Sequence, residues 1–259
     1  MAIFYFSLFG LIIGSFLNVC IYRVPRKLSV VSPARSYCPK CEKQLSALEN
    51  IPVISWVALK GRCKNCKEPI SGQYPLVELL SGIAAAYCYL RFGFTPTGVV
   101  CYALTAALIV ITFIDFEFKI IPNVISYPGI TIGLILGIVS QYTHAFDFPI
   151  TQSAWDSLVG MYTGGGFFWV IGWAYYFFTK DVGLGGGDIK LMGMTGAILG
   201  WQSVAPTIFA GSLLGSVVGI GVIIFAGGSR KSEIPFGPWL SMGALLYMFT
   251  NAGWFGMPY

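Results

Sequence analysis

Four of the seven cysteines stand in two matching pairs, Cys38-Pro-Lys-Cys41 and Cys63-Lys-Asn-Cys66, with 21 residues between them. Two C-x2-C pairs at this spacing can supply four thiolates to one tetrahedral zinc ion. Sulfur then fills every position and leaves none for a reacting water, so the metal is expected to be structural. A catalytic zinc and a pair of disulfides are the competing readings, and the second needs an oxidising compartment. Cys20, Cys88 and Cys101 fall in apolar runs and read as packing residues.

The second group is acidic. Asp115 closes an apolar run in Ile114-Asp115-Phe116-Glu117-Phe118-Lys119. Asp188 opens another in Gly185-Gly186-Gly187-Asp188-Ile189-Lys190, and Glu78 lies inside a third. Charge within an apolar segment is costly and usually serves function. If Asp115 and Asp188 approach each other, they share a proton, because two close carboxylates do not easily both ionise. One can then act as base on a water and the other as acid, which is peptide hydrolysis by an aspartic mechanism. Glycines before Asp188 let an extended substrate backbone come close. Plainer roles stay open: Asp188 capping its own helix, Asp115 pairing with Lys119, Glu117 replacing Asp115, and Glu78 as a buried hydrogen-bond partner. The single histidine, His144, sits in a short polar loop, which leaves no Ser-His-Asp triad or H-E-x-x-H metal site.

These residues need apolar elements to hold them. The chain has 259 residues, 56% hydrophobic and 10% charged. Soluble domains carry about 25% charged residues, so a water-soluble globule is excluded, and so is disorder. Apolar runs lie near 3–22, 74–90, 96–114, 122–140, 157–178, 189–203, 205–226 and 236–255. They predict an all-α polytopic membrane protein of about eight spans. The sixth run is short and Gly-rich, and its boundary with the seventh, near Trp201 to Pro206, is the least defined. Basic residues follow the first run rather than precede it, so that run reads as a retained span and not a signal peptide.

Lysine and arginine set the orientation. Residues 23–74 hold ten of the 16, and the turns near 115–121, 179–190 and 228–235 add Lys119, Lys180, Lys190, Arg230 and Lys231; only Arg91 falls on the far side. The large loop is therefore expected in the cytoplasm and both termini outside. The net charge of +5 follows from this bias and does not indicate nucleic-acid binding. The expected organisation is a first span over 1–22, a zinc-stapled cytoplasmic loop over 23–73 and a bundle of about seven helices over 74–259. No internal repeat is visible.

The ordered motifs resemble the bacterial type IV prepilin peptidases, polytopic aspartic proteases of the GxGD type. The resemblance runs nearly end to end. It begins with Gly14-Ser-Phe-Leu-Asn18-Val-Cys-Ile-Tyr-Arg23-Val-Pro25 and includes both C-x2-C pairs. Asn50-Ile-Pro-Val-Ile-Ser55-Trp56 lies between them, and Ile70-Ser-Gly-Gln-Tyr74-Pro-Leu-Val-Glu78 follows. It continues through Gly185-Gly186-Gly187-Asp188-Ile189-Lys190-Leu191 and ends at Pro235-Phe-Gly-Pro238. It implies Asp115 and Asp188 as catalytic residues, with Gly185, Gly187 and Lys190 in support. Asn123 stands in Ile121-Pro122-Asn123 where many members have aspartate, which removes a rival carboxylate. The implied activity is cleavage of the basic leader of prepilins or pseudopilins at the cytoplasmic face of the bacterial inner membrane. Methylation of the new N-terminal amine from S-adenosylmethionine follows. No G-x-G fingerprint locates that cofactor, and the regions of Asn18 and Glu78 are the first places to look. A proton or ion transporter, with acids near mid-membrane, and a non-catalytic assembly factor are the rival readings.

Overall fold

The computed structural model describes residues 1–32, 35–38, 40–181, 185–226 and 235–250. Each apolar run becomes a helix within a few residues of its expected bounds. The helices are α1 (Ala2–Arg23), α2 (Ile54–Ala58), α3 (Gln73–Phe92), α4 (Pro96–Phe118), α5 (Asn123–Thr143), α6 (Ala154–Thr179), α7 (Gly186–Leu199), α8 (Val204–Ala226) and α9 (Gly237–Phe249). No named strand occurs among the described residues. The chain divides into two compact units, Met1–Ile114 and Asp115–Tyr259.

In the first unit α1 packs on α3. Gly10 and Gly14, four apart and so on one face of α1, allow it. A Cβ on Gly10 would stand 2.5 Å from the Ser81 carbonyl oxygen, and one on Gly14 would stand 2.6 Å from Glu78 Cα. Polar groups in this contact are satisfied internally, as an apolar surround requires. The Ser81 hydroxyl donates to the Gly10 carbonyl at 2.7 Å, and the Asn18 amide donates to the Tyr74 carbonyl at 3.0 Å. The outer face of α1 is apolar and open, with Phe4, Ile12 and Phe16 exposed.

In the second unit α7 is the inner helix, packed by α5, α6 and α9. Every residue from 191 to 200 is buried. Small residues again set the approach. Gly129, Gly133 and Gly137 line one face of α5, and a Cβ on Gly133 would lie 2.7 Å from Ala197 Cβ. Gly160 of α6 and Gly196 of α7 meet backbone to backbone, and neither has room for a Cβ. At the end of α7 remote from Asp188, the Asp156 carboxylate ties three segments. It accepts from Thr151 Oγ1 at 3.1 Å, the Gln152 N–H at 3.2 Å and the Trp201 N–H at 3.3 Å.

Among the described residues, four helices are long and apolar enough to cross a membrane: Ala2–Arg23, Pro96–Phe118, Asn123–Thr143 and Trp201–Phe225. The other expected spans differ for physical reasons. Helix α3 carries Glu78 and Arg91, and α6 is diluted by Gly164, Gly165 and Gly166. With 14 residues, α7 rises about 21 Å, less than the roughly 30 Å of a hydrocarbon core. A helix walled in by others does not need the length or apolarity of one facing lipid. The expected last span reaches 255, and residues 251–255 lie outside the described residues, as do Arg230 and Lys231.

Candidate active site and metal centre

Helix α4 runs one turn past its expected end, so Asp115 sits inside the helix rather than at its edge. The helix stops at Lys119, whose φ is +54° and whose N–H bonds the Asp115 carbonyl at 2.9 Å. Ile121 and Pro122 follow, both buried, and α5 starts at Asn123. Asp188 lies in the first turn of α7, after Gly185 as N-cap. Both acids are buried, Asp115 to 5% and Asp188 to 9% exposure, whereas Glu117 is exposed. Burial separates Asp115 from its rival two residues away.

The aspartates come together although 73 positions separate them in sequence. The glycines beside them, Gly187 and Gly237, meet the same side chain. Ile121 fills the space between their supports: a Cβ on Gly187 would stand 3.0 Å from Ile121 Cβ, and one on Gly237 3.2 Å from Ile121 Cδ1. The Asp115 carboxylate accepts the backbone N–H of Gly237 at 3.1 Å, at the start of α9. The Asp115 carboxylate therefore meets the amino end of α9, and Asp188 lies in the first turn of α7, positions where the helix dipole favours negative charge. Asp188 is not a side-chain cap of α7.

The three glycines before Asp188 differ in what surrounds them. Gly187 is closed against Ile121, and a Cβ on Gly185 would meet Asp188 Oδ2 at 3.4 Å. Gly186 has open space among the described residues, so it is the one a substrate backbone can approach. Lys190 turns away from the acids. Its ammonium donates to Asn123 Oδ1 at 2.6 Å and lies 5.6 Å from the Tyr127 ring centre, joining the start of α7 to that of α5. Sequence reasoning placed Pro235–Pro238 among the motifs without a role. Gly237 supplies one through its N–H, and only the fold brings it to a residue 122 positions away.

The four cysteines converge as their spacing predicts. The sulfurs of Cys38, Cys41, Cys63 and Cys66 all lie within 4.8 Å of one another, and Cys38 to Cys66 is 3.8 Å. A tetrahedral zinc with Zn–S near 2.3 Å places sulfurs about 3.8 Å apart, so the donor set fits the ion. The two halves are built alike. Cys38 N–H bonds the Lys43 carbonyl and Glu42 N–H returns to Cys38, just as Cys63 N–H bonds Glu68 and Lys67 N–H returns to Cys63. Glu42 and Lys67 share a positive φ, +56° and +60°. The chain thus contains a local repeat that residue types hid outside the cysteines. The Lys43 backbone N–H and the Asn65 side chain hold the Cys41 thiol down to about 6, favouring thiolate. Cys66 accepts from the Glu68 N–H, but desolvation and the three neighbouring sulfurs outweigh this and push it up to about 11. A dication is what would balance four sulfurs held this close.

The family described as the type IV leader peptidase family matches residues 102–220, and the bacterial peptidase A24 N-terminal domain matches residues 8–92. A prepilin leader peptidase/N-methyltransferase of Aeromonas hydrophila is 34% identical over 280 positions, covering 97% of this chain and 93% of the relative. The chain belongs to the prepilin leader peptidase/N-methyltransferase family. Relatives of that name in Pseudomonas aeruginosa and Myxococcus xanthus are 32% and 40% identical, covering 96% and 87% of this chain and 88% and 64% of their own. No solved structure matches. Within this family member the N-terminal domain match carries all four cysteines, and the leader peptidase match carries both aspartates.

Proposed function

We propose that this chain is a membrane aspartic endopeptidase that removes the leader of prepilins or pseudopilins and then methylates the new N-terminal amine from S-adenosylmethionine. The reading rests on one observation: two buried aspartates, each at the amino end of a helix, meet beside an open glycine. Asp115 and Asp188 share one proton. The ionised carboxylate takes a proton from water as the oxygen attacks the scissile carbonyl, and the protonated one donates to the carbonyl oxygen. Collapse of the tetrahedral intermediate returns a proton to the leaving amine and breaks the C–N bond. Gly237 holds Asp115, Gly185 and Gly187 hold Asp188, and Lys190 braces the segment through Asn123.

The substrate helix stays in the bilayer with its scissile bond at the cytoplasmic face, where the positive-inside bias puts both acids. Eight helices span the inner membrane. Residues 1–22 form the first span, 23–73 the cytoplasmic loop and 74–259 the protease bundle. Cys38, Cys41, Cys63 and Cys66 hold a structural zinc that contributes folding energy to the loop.

The test is prepilin cleavage in liposomes, read by mass spectrometry, for wild type, Asp115→Asn and Asp188→Asn. Both variants are expected to fold, retain metal and fail to cleave. Cleavage that survives both changes sinks the aspartic mechanism. A wild type that does not cleave, with pilus assembly in cells unaffected by either change, would favour the assembly-factor reading.

A further inference from the structure

The N-terminal unit holds a cavity of about 450 Å³ between α1, α3 and the cysteine module. That lies within the range of about 300–1,000 Å³ typical of small-molecule sites. Three of its polar lining groups are more than nine-tenths buried: Asn18 at 5%, Arg23 at 5% and Glu78 at 8% exposure. Asn18 spends its amide on backbone carbonyls. Glu78 differs. Its Oε2 accepts the Val53 N–H at 2.8 Å and its carboxylate also bonds the Ser15 side chain. Among the described residues, no cationic side chain pairs with it. Of the cavity's two cations, Lys40 is engaged by Glu68 at 2.6 Å, and Arg23 donates to the Ser29 and Val30 carbonyls at 3.0 and 3.4 Å. A buried carboxylate beside a cavity, with no protein cation to meet it, suits a ligand that brings positive charge.

The Glu78 bond also holds an unusual wall. Val53 has φ +62° and ψ −50°, and Ile54 N–H closes onto the Pro52 carbonyl at 2.6 Å. This is a γ-turn of the rare, strained kind. In a β-branched residue such a backbone persists only where its surroundings enforce it, and it clusters at ligand clamps. Three residues on, Trp56 is fixed by its indole N–H to the Ile70 carbonyl at 3.1 Å. Its ring and Tyr74 both line the cavity. A carboxylate with aromatic faces beside it is the chemistry that receives an onium cation attached to a flat ring.

We propose that this cavity seats the sulfonium methyl donor, with Glu78 facing its positive charge and the Pro52–Ile54 turn and Trp56 forming the wall. This rests on the reading of the chain as a methyltransferase as well as a peptidase.

The test uses the full-length protein in detergent. Ultraviolet crosslinking of radiolabelled S-adenosylmethionine, followed by peptide mapping, needs no variant. The label is expected between residues 15 and 78. Calorimetry then compares S-adenosylmethionine with its neutral product S-adenosylhomocysteine, on wild type and Glu78→Gln. Glutamine keeps the acceptor for Val53 and removes the charge. Affinity for the cation is expected to fall about ten- to hundredfold while the neutral ligand changes less than twofold. Prepilin cleavage and metal content are expected to persist. Labelling confined to residues 115–250 overturns the proposal and leaves the methyltransferase reading standing, as does an equal loss of both ligands or of neither. Labelling at 15–78 by the free N-terminal amine of a cleaved pilin peptide, but not by the cofactor, assigns the cavity to the methyl acceptor and also overturns it. A wild type that neither binds the cofactor nor methylates refutes the parent reading itself.

Discussion

Replacing Gly237 by alanine tests the active-site geometry without touching either aspartate. A Cβ there would stand 2.7 Å from Asp115 Oδ2 and 3.2 Å from the Asp115 Cγ. Carbon–oxygen contacts settle at about 3.3–3.6 Å, so the carboxylate must retreat by about 0.6–0.9 Å. The retreat stretches the 3.1 Å bond from the Gly237 N–H. A hydrogen bond to a charged group contributes about 1.5–3 kcal/mol, and a misplacement of about 1 Å at a reacting group costs roughly a hundredfold in rate. Gly237→Ala is therefore expected to lower kcat for prepilin cleavage about a hundredfold with little change in KM. The assay is timed mass spectrometry of leader release, with thermal stability and metal content as controls for folding. Gly221→Ala, where nothing lies within 4 Å, is the matched helical control and is expected to behave as wild type. A Gly237→Ala enzyme within twofold of wild type would refute the claim that this backbone amide positions Asp115.

Three further expectations follow from other parts of the fold. Gly186→Ala places a methyl group in open space next to the acids, so KM is expected to rise several-fold while melting temperature holds; unchanged KM would mean the substrate does not pass this glycine. Gly196→Val drives a branched side chain into Gly160, and overpacking of this kind costs about 1–3 kcal/mol or more, so the purified variant is expected to melt several degrees lower or fail to accumulate. Elemental analysis is expected to find one zinc per chain, and Cys38→Ser with Cys63→Ser is expected to remove it; retention of full zinc by the double variant would separate the sulfur cluster from the metal.

Much of the fold was readable because lipid-length apolar runs have few alternatives to helix. The eight runs recur as α1 and α3–α9 with ends moved by a few residues. Depth was less readable. Hydropathy measures what faces lipid, and α7 faces mainly other helices, so its composition does not report how it sits. The glycine spacings on α1, α5 and α6 were in plain view as G-x3-G steps, yet only partners turn such a step into a contact. At the site, residue types announced Asp115 and Asp188, and burial then set Asp115 apart from Glu117. The resemblance put Lys190 in support of the aspartates, and no residue type announced that its ammonium would reach Asn123. The bonds from Gly237 to Asp115 and from Val53 to Glu78 had no sequence signal, since both donors are backbone amides and carry no residue signature.

The two cysteine hairpins bear on more than their own stability. The 21 residues from Glu42 to Arg62 are held at both ends by the sulfur cluster, and they include the strained turn at Val53 and Trp56. Closing a flexible segment of that length costs about 2.7 kcal/mol of chain entropy beyond a constant. A bound metal meets that cost once, for the whole segment; its loss hands the cost back to Glu78 and a few turn contacts. The aspartates belong to the other unit and have no such tether. A cell short of metal is then expected to keep trimming leaders while its pilins accumulate with bare amino ends, so the methyl mark would report metal supply.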